Sequence, residues 1–122
     1  MGKFIYGVPS TTVDIDDRVL AHLRMVMTTK LRRSEPFMFE FDLPPAEGSG
    51  RRSFWVHPAV PIQFHFFGSR EPRLNRAWVE TLFREASGPT GLRIVPEPEE
   101  SAPAASASAT PSRGLAARAR SR

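Results

Sequence analysis

The chain has 122 residues, 40% hydrophobic and 25% charged, with a formal charge of +4 and no cysteine. That suffices for one small domain and not for a second independent core. It also excludes disulfide staples, thiolate nucleophiles and cysteine-based zinc sites, and no apolar run approaches the ~18 residues of a membrane span. With no apolar leader at its start, the sequence reads as a soluble, cytoplasmic protein without membrane contact.

Lys3 to Tyr6 and Thr12 to Ile15 are short and β-prone, and Gly7-Val8-Pro9-Ser10 between them predicts the turn of an opening hairpin. Asp16 or Asp17 supplies the N-cap of a helix that Arg32 and Arg33 close, where the dipole favours cations. At about 100° per residue, Val19, Leu20, Leu23, Val26, Met27 and Leu31 share one side, and Arg18, Ala21, Thr28, Thr29 and Arg32 the other. Lys30 falls inside the apolar stripe. It reads either as a desolvated, reactive lysine or, the favoured account, as a stem covering apolar surface while its ammonium reaches water.

Glu35-Pro36 ends the helical pattern, and Phe37, Phe39, Phe41 and Leu43 then alternate with Met38, Glu40 and Asp42, the signature of a half-buried strand. A polar loop from Pro44 to Arg52 leads to two more strands, Ser53 to His57 and Ile62 to Phe67, so that an antiparallel meander is expected. A second helix lies near Leu74 to Ala86, with Leu74, Trp78, Val79, Leu82 and Ala86 on its apolar side. Pro72 suits its first position and Asn75 is the better cap. After Gly88 to Gly91, Leu92 to Val95 reads as a last short strand. The order β-β-α-β-β-β-α-β predicts an α+β fold: a small, mostly antiparallel sheet with both helices on one face, spanning residues 1–96.

Residues 97–122 hold eight Ala, five Ser and three Pro, no aromatic residue and one large aliphatic, Leu115. Such a stretch buries too little to offset its ordering entropy and reads as a disordered tail, with its acids at Glu97, Glu99 and Glu100 and its arginines at the far end.

Catalytic signatures are sparse. There is no phosphate-cradling Gly-x-x-x-x-Gly-Lys and no Gly-x-Ser-x-Gly, and His22, His57 and His65 lack the i, i+4 spacing of a helical metal site, so no catalytic residue and no metal ligand is assigned. His65 reads as a half-exposed sheet residue and His57 as a loop hydrogen-bonder. The carboxylates Asp16, Asp17, Glu40 and Asp42 fit caps and a polar strand face better than acid/base chemistry. Fifteen of the seventeen basic residues are arginine. Arg32, Arg33, Arg51, Arg52, Arg70, Arg73 and Arg76 are the candidate contacts for an anion or nucleic acid, with Trp55 or Phe67 as a stacking surface. The alternative is a solvated face in which Arg76, Glu80 and Arg84 form an i, i+4 ladder. The expected partners are a protein, a second copy through open sheet edges, or nucleic acid.

Several segments carry a resemblance: Met1-Gly2-Lys3-Phe4-Ile5-Tyr6-Gly7, Asp16-Asp17-Arg18-Val19-Leu20-Ala21-His22-Leu23, Lys30-Leu31-Arg32-Arg33 and Gly48-Ser49-Gly50-Arg51. With Trp55-Val56-His57-Pro58, Leu74-Asn75-Arg76-Ala77-Trp78 and Gly91-Leu92 leading to Pro96-Glu97-Pro98, the chain resembles a family of small actinobacterial proteins of unknown biochemical role. Proteins that look like this often carry the label ATP-dependent DNA ligase. The label implies ATP, Mg and a Lys-x-Asp-Gly nucleophile, whereas Lys3 precedes Phe-Ile-Tyr and Lys30 precedes Leu-Arg-Arg. Without that motif the expectation is a non-catalytic binding domain that needs no cofactor, with a ligase-related or accessory fragment as the alternative.

Overall fold

The computed structural model describes residues 1–100. Strands β1 (Gly2–Tyr6) and β2 (Thr11–Ile15) form the expected hairpin, with Gly2 opposite Ile15 and Tyr6 opposite Thr11. Helix α1 (Asp17–Arg32) follows, then β3 (Phe37–Asp42), β4 (Arg51–Val56), β5 (Ile62–His65), α2 (Arg76–Ser87) and β6 (Leu92–Arg93). The fold is α+β, as its pattern of periodicities predicts.

The pairing departs from a single sheet. β5 leaves β4 and pairs antiparallel with β1, giving a three-stranded sheet in the order β2-β1-β5; β4 and the short β6 flank β3 in a second, in the order β4-β3-β6. There is therefore no β3-β4-β5 meander. Alternation fixes which side chains share a face but not which strand lies alongside, and the proline-bracketed stretch from Pro58 to Pro61 carries the chain from one sheet to the other. The Pro61 carbonyl accepts the Gly7 amide at 3.0 Å, which fastens that crossover to the hairpin turn. β6 runs parallel to β3, with Leu92 beside Phe39. Gly91 makes this approach possible: its φ is +86°, and a Cβ there would stand 2.8 Å from the Met38 carbonyl oxygen.

The helices lie side by side, α1 touching β1 and α2 touching β3 and β6. Phe4 is fully buried at the centre, meeting Phe39 edge-on at 5.3 Å between centroids and Phe54 at 5.5 Å, so one ring joins the two sheets. Tyr6 adds a polar join. Its hydroxyl donates to the Trp55 carbonyl and accepts the His57 amide at 3.1 Å, so it closes the end of the β4 edge that β3 leaves open.

α1 keeps the predicted stripe of Leu20, Leu23, Val26 and Met27, while Val19 and Leu31 are half-buried. Its buried face is wider than the stripe, because it meets a sheet on one flank and α2 on the other: Ala21, His22 and Lys30 are buried as well, and Ala21 is thereby moved off the polar side. Asp16 caps α1 by accepting the Arg18 amide. Asp17 instead accepts the amides of Phe67 at 3.0 Å and Gly68 at 2.8 Å and ties the chain after β5 to the helix. Asn75 is the cap of α2, its side-chain oxygen accepting from Ala77 and Trp78.

Candidate interaction site

The most connected polar cluster sits where both helices begin. His22 is fully buried; its Nδ1 is 2.7 Å from the Arg18 carbonyl, to which it donates, and its Nε2 accepts the Asn75 amide at 2.8 Å. The ring is therefore neutral in this arrangement, and it lies 4.6 Å from the Trp78 ring. The Asn75 side-chain amide donates to Glu97 and to the Pro98 carbonyl, both at 2.9 Å. Arg18 completes the cluster with two donors on the Glu97 carboxylate, at 2.9 and 2.6 Å, and a third to the Arg73 carbonyl at 2.9 Å. Glu97 and Pro98, expected in the tail, are thus bonded to the domain, and Arg73 pairs with Glu100 at 3.5 Å. The rest of the tail, residues 101–122, lies outside the described residues.

The Arg18 guanidinium, assisted by Asn75, holds the Glu97 carboxyl at about 2, below its ordinary 4.5. The Gly68 and Phe67 amides likewise lower Asp17. A carboxyl depressed in the folded state stabilises the fold above its unfolded value, and that contribution disappears as pH falls through the folded value. Stability is therefore expected to drop between about pH 4.5 and 2. Glu97→Gln should flatten that acid slope in urea titrations run at successive pH values. An unchanged slope would show that Glu97 is not held by Arg18 in solution.

Both lysines are engaged. Lys3 pairs with Asp14 across the hairpin at 2.7 Å. The Lys30 side chain is buried, with its ammonium 3.1 Å from Glu35, 3.4 Å from the Ser87 hydroxyl and 5.7 Å from the Phe83 ring centre. The ammonium is thus buried against protein partners instead of reaching water as expected, and it bolts the end of α1 to the end of α2.

Two open recesses flank Met25, a residue 42% exposed on the outer side of α1. One, of about 310 Å³, lies between α1 and the segment before α2, with Ala21, Phe66 and Leu74 as apolar lining and Arg24 and Arg70 beside them. The other, of about 450 Å³, lies between the two helices, with Val79 and Phe83 as apolar lining and Arg33 and Arg84 beside them. Arg24 stacks over Phe66 at 5.2 Å and Arg33 over Phe83 at 5.1 Å, so guanidinium and aromatic faces are paired in each recess.

The seven arginines singled out in the sequence do not converge. Arg32 and Arg33 sit at the C-terminal end of α1, and Arg73, through the Arg18 contact, at its N-terminal end, about 21 Å away along the axis at ~1.5 Å per residue. Arg76 begins α2, while Arg51 and Arg52 begin β4 opposite Asp42 and Phe41. Only Arg33 and Arg70 of the seven line the recesses, alongside Arg24 and Met25, to which the sequence assigns no role, and Arg84, expected in a solvated ladder. A signal was present: Arg24 and Met25 are adjacent and off the apolar stripe, so Met25 is a large apolar residue on an outward face. Neither Arg76 nor Arg84 forms an ion pair with Glu80 among the described residues. His65 is exposed on β5, and His57 Nδ1 accepts the Ala59 amide at 3.0 Å within its loop. Ser53 donates to Glu40 at 2.7 Å on the polar face of the second sheet. Among the described residues no group of three His, Asp or Glu side chains is placed to hold a metal ion, and no helix is long and apolar enough to cross a membrane.

A family model described as Domain of unknown function (DUF7882) matches residues 1–97. No curated protein and no solved structure matches the chain.

Proposed function

We propose that this chain, which belongs to the family described as Domain of unknown function (DUF7882), is a non-catalytic binding domain that works through the arginine-bearing outer surface of α1 and its neighbours. The supporting observation is the use made of the buried polar side chains. His22, Asn75 and Lys30 are each bonded to a different element of the fold, so they act as fasteners and are not presented to a ligand. What opens to solvent beside them is guanidinium, thioether and aromatic surface, which is the chemistry of contact.

The test is direct. The full chain, incubated with ATP, magnesium and a nicked duplex, is expected to keep its intact mass and to leave the nick open. A covalent AMP adduct or a sealed nick, abolished by changing one side chain, would refute the reading.

Nucleic-acid binding is a second reading, favoured by one observation: Trp55 is 54% exposed on the outer face of β4, the face it shares with Arg51. Glu40 and Asp42 of β3 share that face and oppose an anion there, which places this reading behind the first. It predicts oligonucleotide affinity that falls steeply with salt and falls further in Arg51→Ala, Arg52→Ala. Salt-insensitive affinity, or none at low salt, would remove it.

A further inference from the structure

The two recesses beside Met25 have a shape and a charge that select among partners. Ala21 lines one and Thr29 the other, eight residues or about 12 Å apart along α1, while side chains two turns apart on any helix stand about 11 Å apart. A second helix lying along this groove therefore seats one apolar side chain in each recess. From Ala21 to Arg33 the groove runs about 18 Å, the length of some twelve helical residues. Its charged lining is Arg24, Arg33, Arg70 and Arg84 against Glu71 and Glu80, so an occupant with carboxylates on its flanks is favoured.

Resting on the reading of the domain as a binding module, we infer that this groove docks an acidic amphipathic helix of a partner protein, with apolar anchors two turns apart. Charge argues against the chain's own C-terminal segment, because residues 101–122 carry four arginines and no acidic residue. It argues equally against a second copy, since a two-fold through the groove brings arginine rim onto arginine rim. Met25 suits the role, because an unbranched thioether adapts to whichever side chain arrives.

The probe is a labelled synthetic peptide of about fourteen residues, helix-forming, with leucines two turns apart and Glu and Asp on both flanks. Titrated with the full chain and followed by fluorescence anisotropy, it is expected to bind saturably and to weaken with added salt. A peptide of the same composition that splits the leucines onto opposite faces should bind about tenfold more weakly. Met25→Glu should weaken binding of the original peptide by at least about tenfold, and Arg84→Glu severalfold, both sites being solvent-facing and both variants being checked for unchanged urea midpoints.

Equal binding of the two peptides, full affinity in Met25→Glu, or no binding at low salt would overturn the proposal. So would capture by anionic vesicles with no peptide binding, or a dimer in native mass spectra that Met25→Glu abolishes. None of these outcomes touches the adduct and nick assay, so failure of the groove and failure of the binding-module reading are told apart.

Discussion

Phe4→Ala is expected to cost about 3–5 kcal/mol, the range for deleting a fully buried aromatic side chain where the surroundings cannot collapse. The ring sits among Phe39, Phe54, Phe64 and Tyr6, with centroids 5.3 to 6.0 Å away. These rings belong to strands of both sheets, so relaxation in one sheet cannot close a void whose other wall is the second. A domain of this size holds about 5–15 kcal/mol in total, so the variant should be largely unfolded at temperatures the parent tolerates. Urea titration followed by near-ultraviolet circular dichroism measures the loss. Phe4→Leu should lose much less, because most of the volume stays filled. A cost below about 1 kcal/mol for the alanine variant would mean that the sheets are not joined through this ring.

His22→Ala is the second large effect, expected at about 3 kcal/mol. The Arg18 carbonyl keeps its helical partner when the ring is removed, but the Asn75 amide loses its acceptor while 2% exposed. An orphaned buried donor costs about 1–3 kcal/mol, and the lost packing against Trp78 adds to it. Because Asn75 also caps α2 and holds Glu97 and Pro98, amide exchange should rise at the start of α2 ahead of the rest of the domain. His22→Gln, which can still present an acceptor to Asn75, should recover part of the loss. If His22→Ala left exchange at Asn75 and Ala77 unchanged, the imidazole would not be holding the two helix starts together.

The order of elements was legible because each rests on a local rule. Phe37, Phe39 and Phe41 alternate inward as expected, Asn75 caps α2, and Asp16 caps α1. Strand partnership was not legible. Ile62 and Phe64 present the same face whether β5 lies beside β4 or β1, and only tertiary contact decides. The two-residue β6 was too short to reveal its parallel pairing with β3. The fastening role of His22 was not legible either, since it depends on an amide 53 positions away. Neighbours in sequence do not show which arginines share a surface: the fold puts Arg32 and Arg33 at one end of α1, Arg73 at the other, and Arg51 and Arg52 on β4. The groove is illegible for the same reason: its walls come from α1 and from chain from residue 66 onward, which no local pattern links.

The Tyr6 hydroxyl has one more effect. By filling the hydrogen-bonding positions of Trp55 and His57, it denies a docking strand the far end of the β4 ladder. At the near end Arg51 and Arg52 add charges that repel a like strand. Blocked at one end and charged at the other, β4 is protected from the strand-on-strand growth that seeds fibrils. Removing that hydroxyl, as in Tyr6→Phe, should therefore shorten the lag before thioflavin-positive material forms, even where the folded population is barely changed.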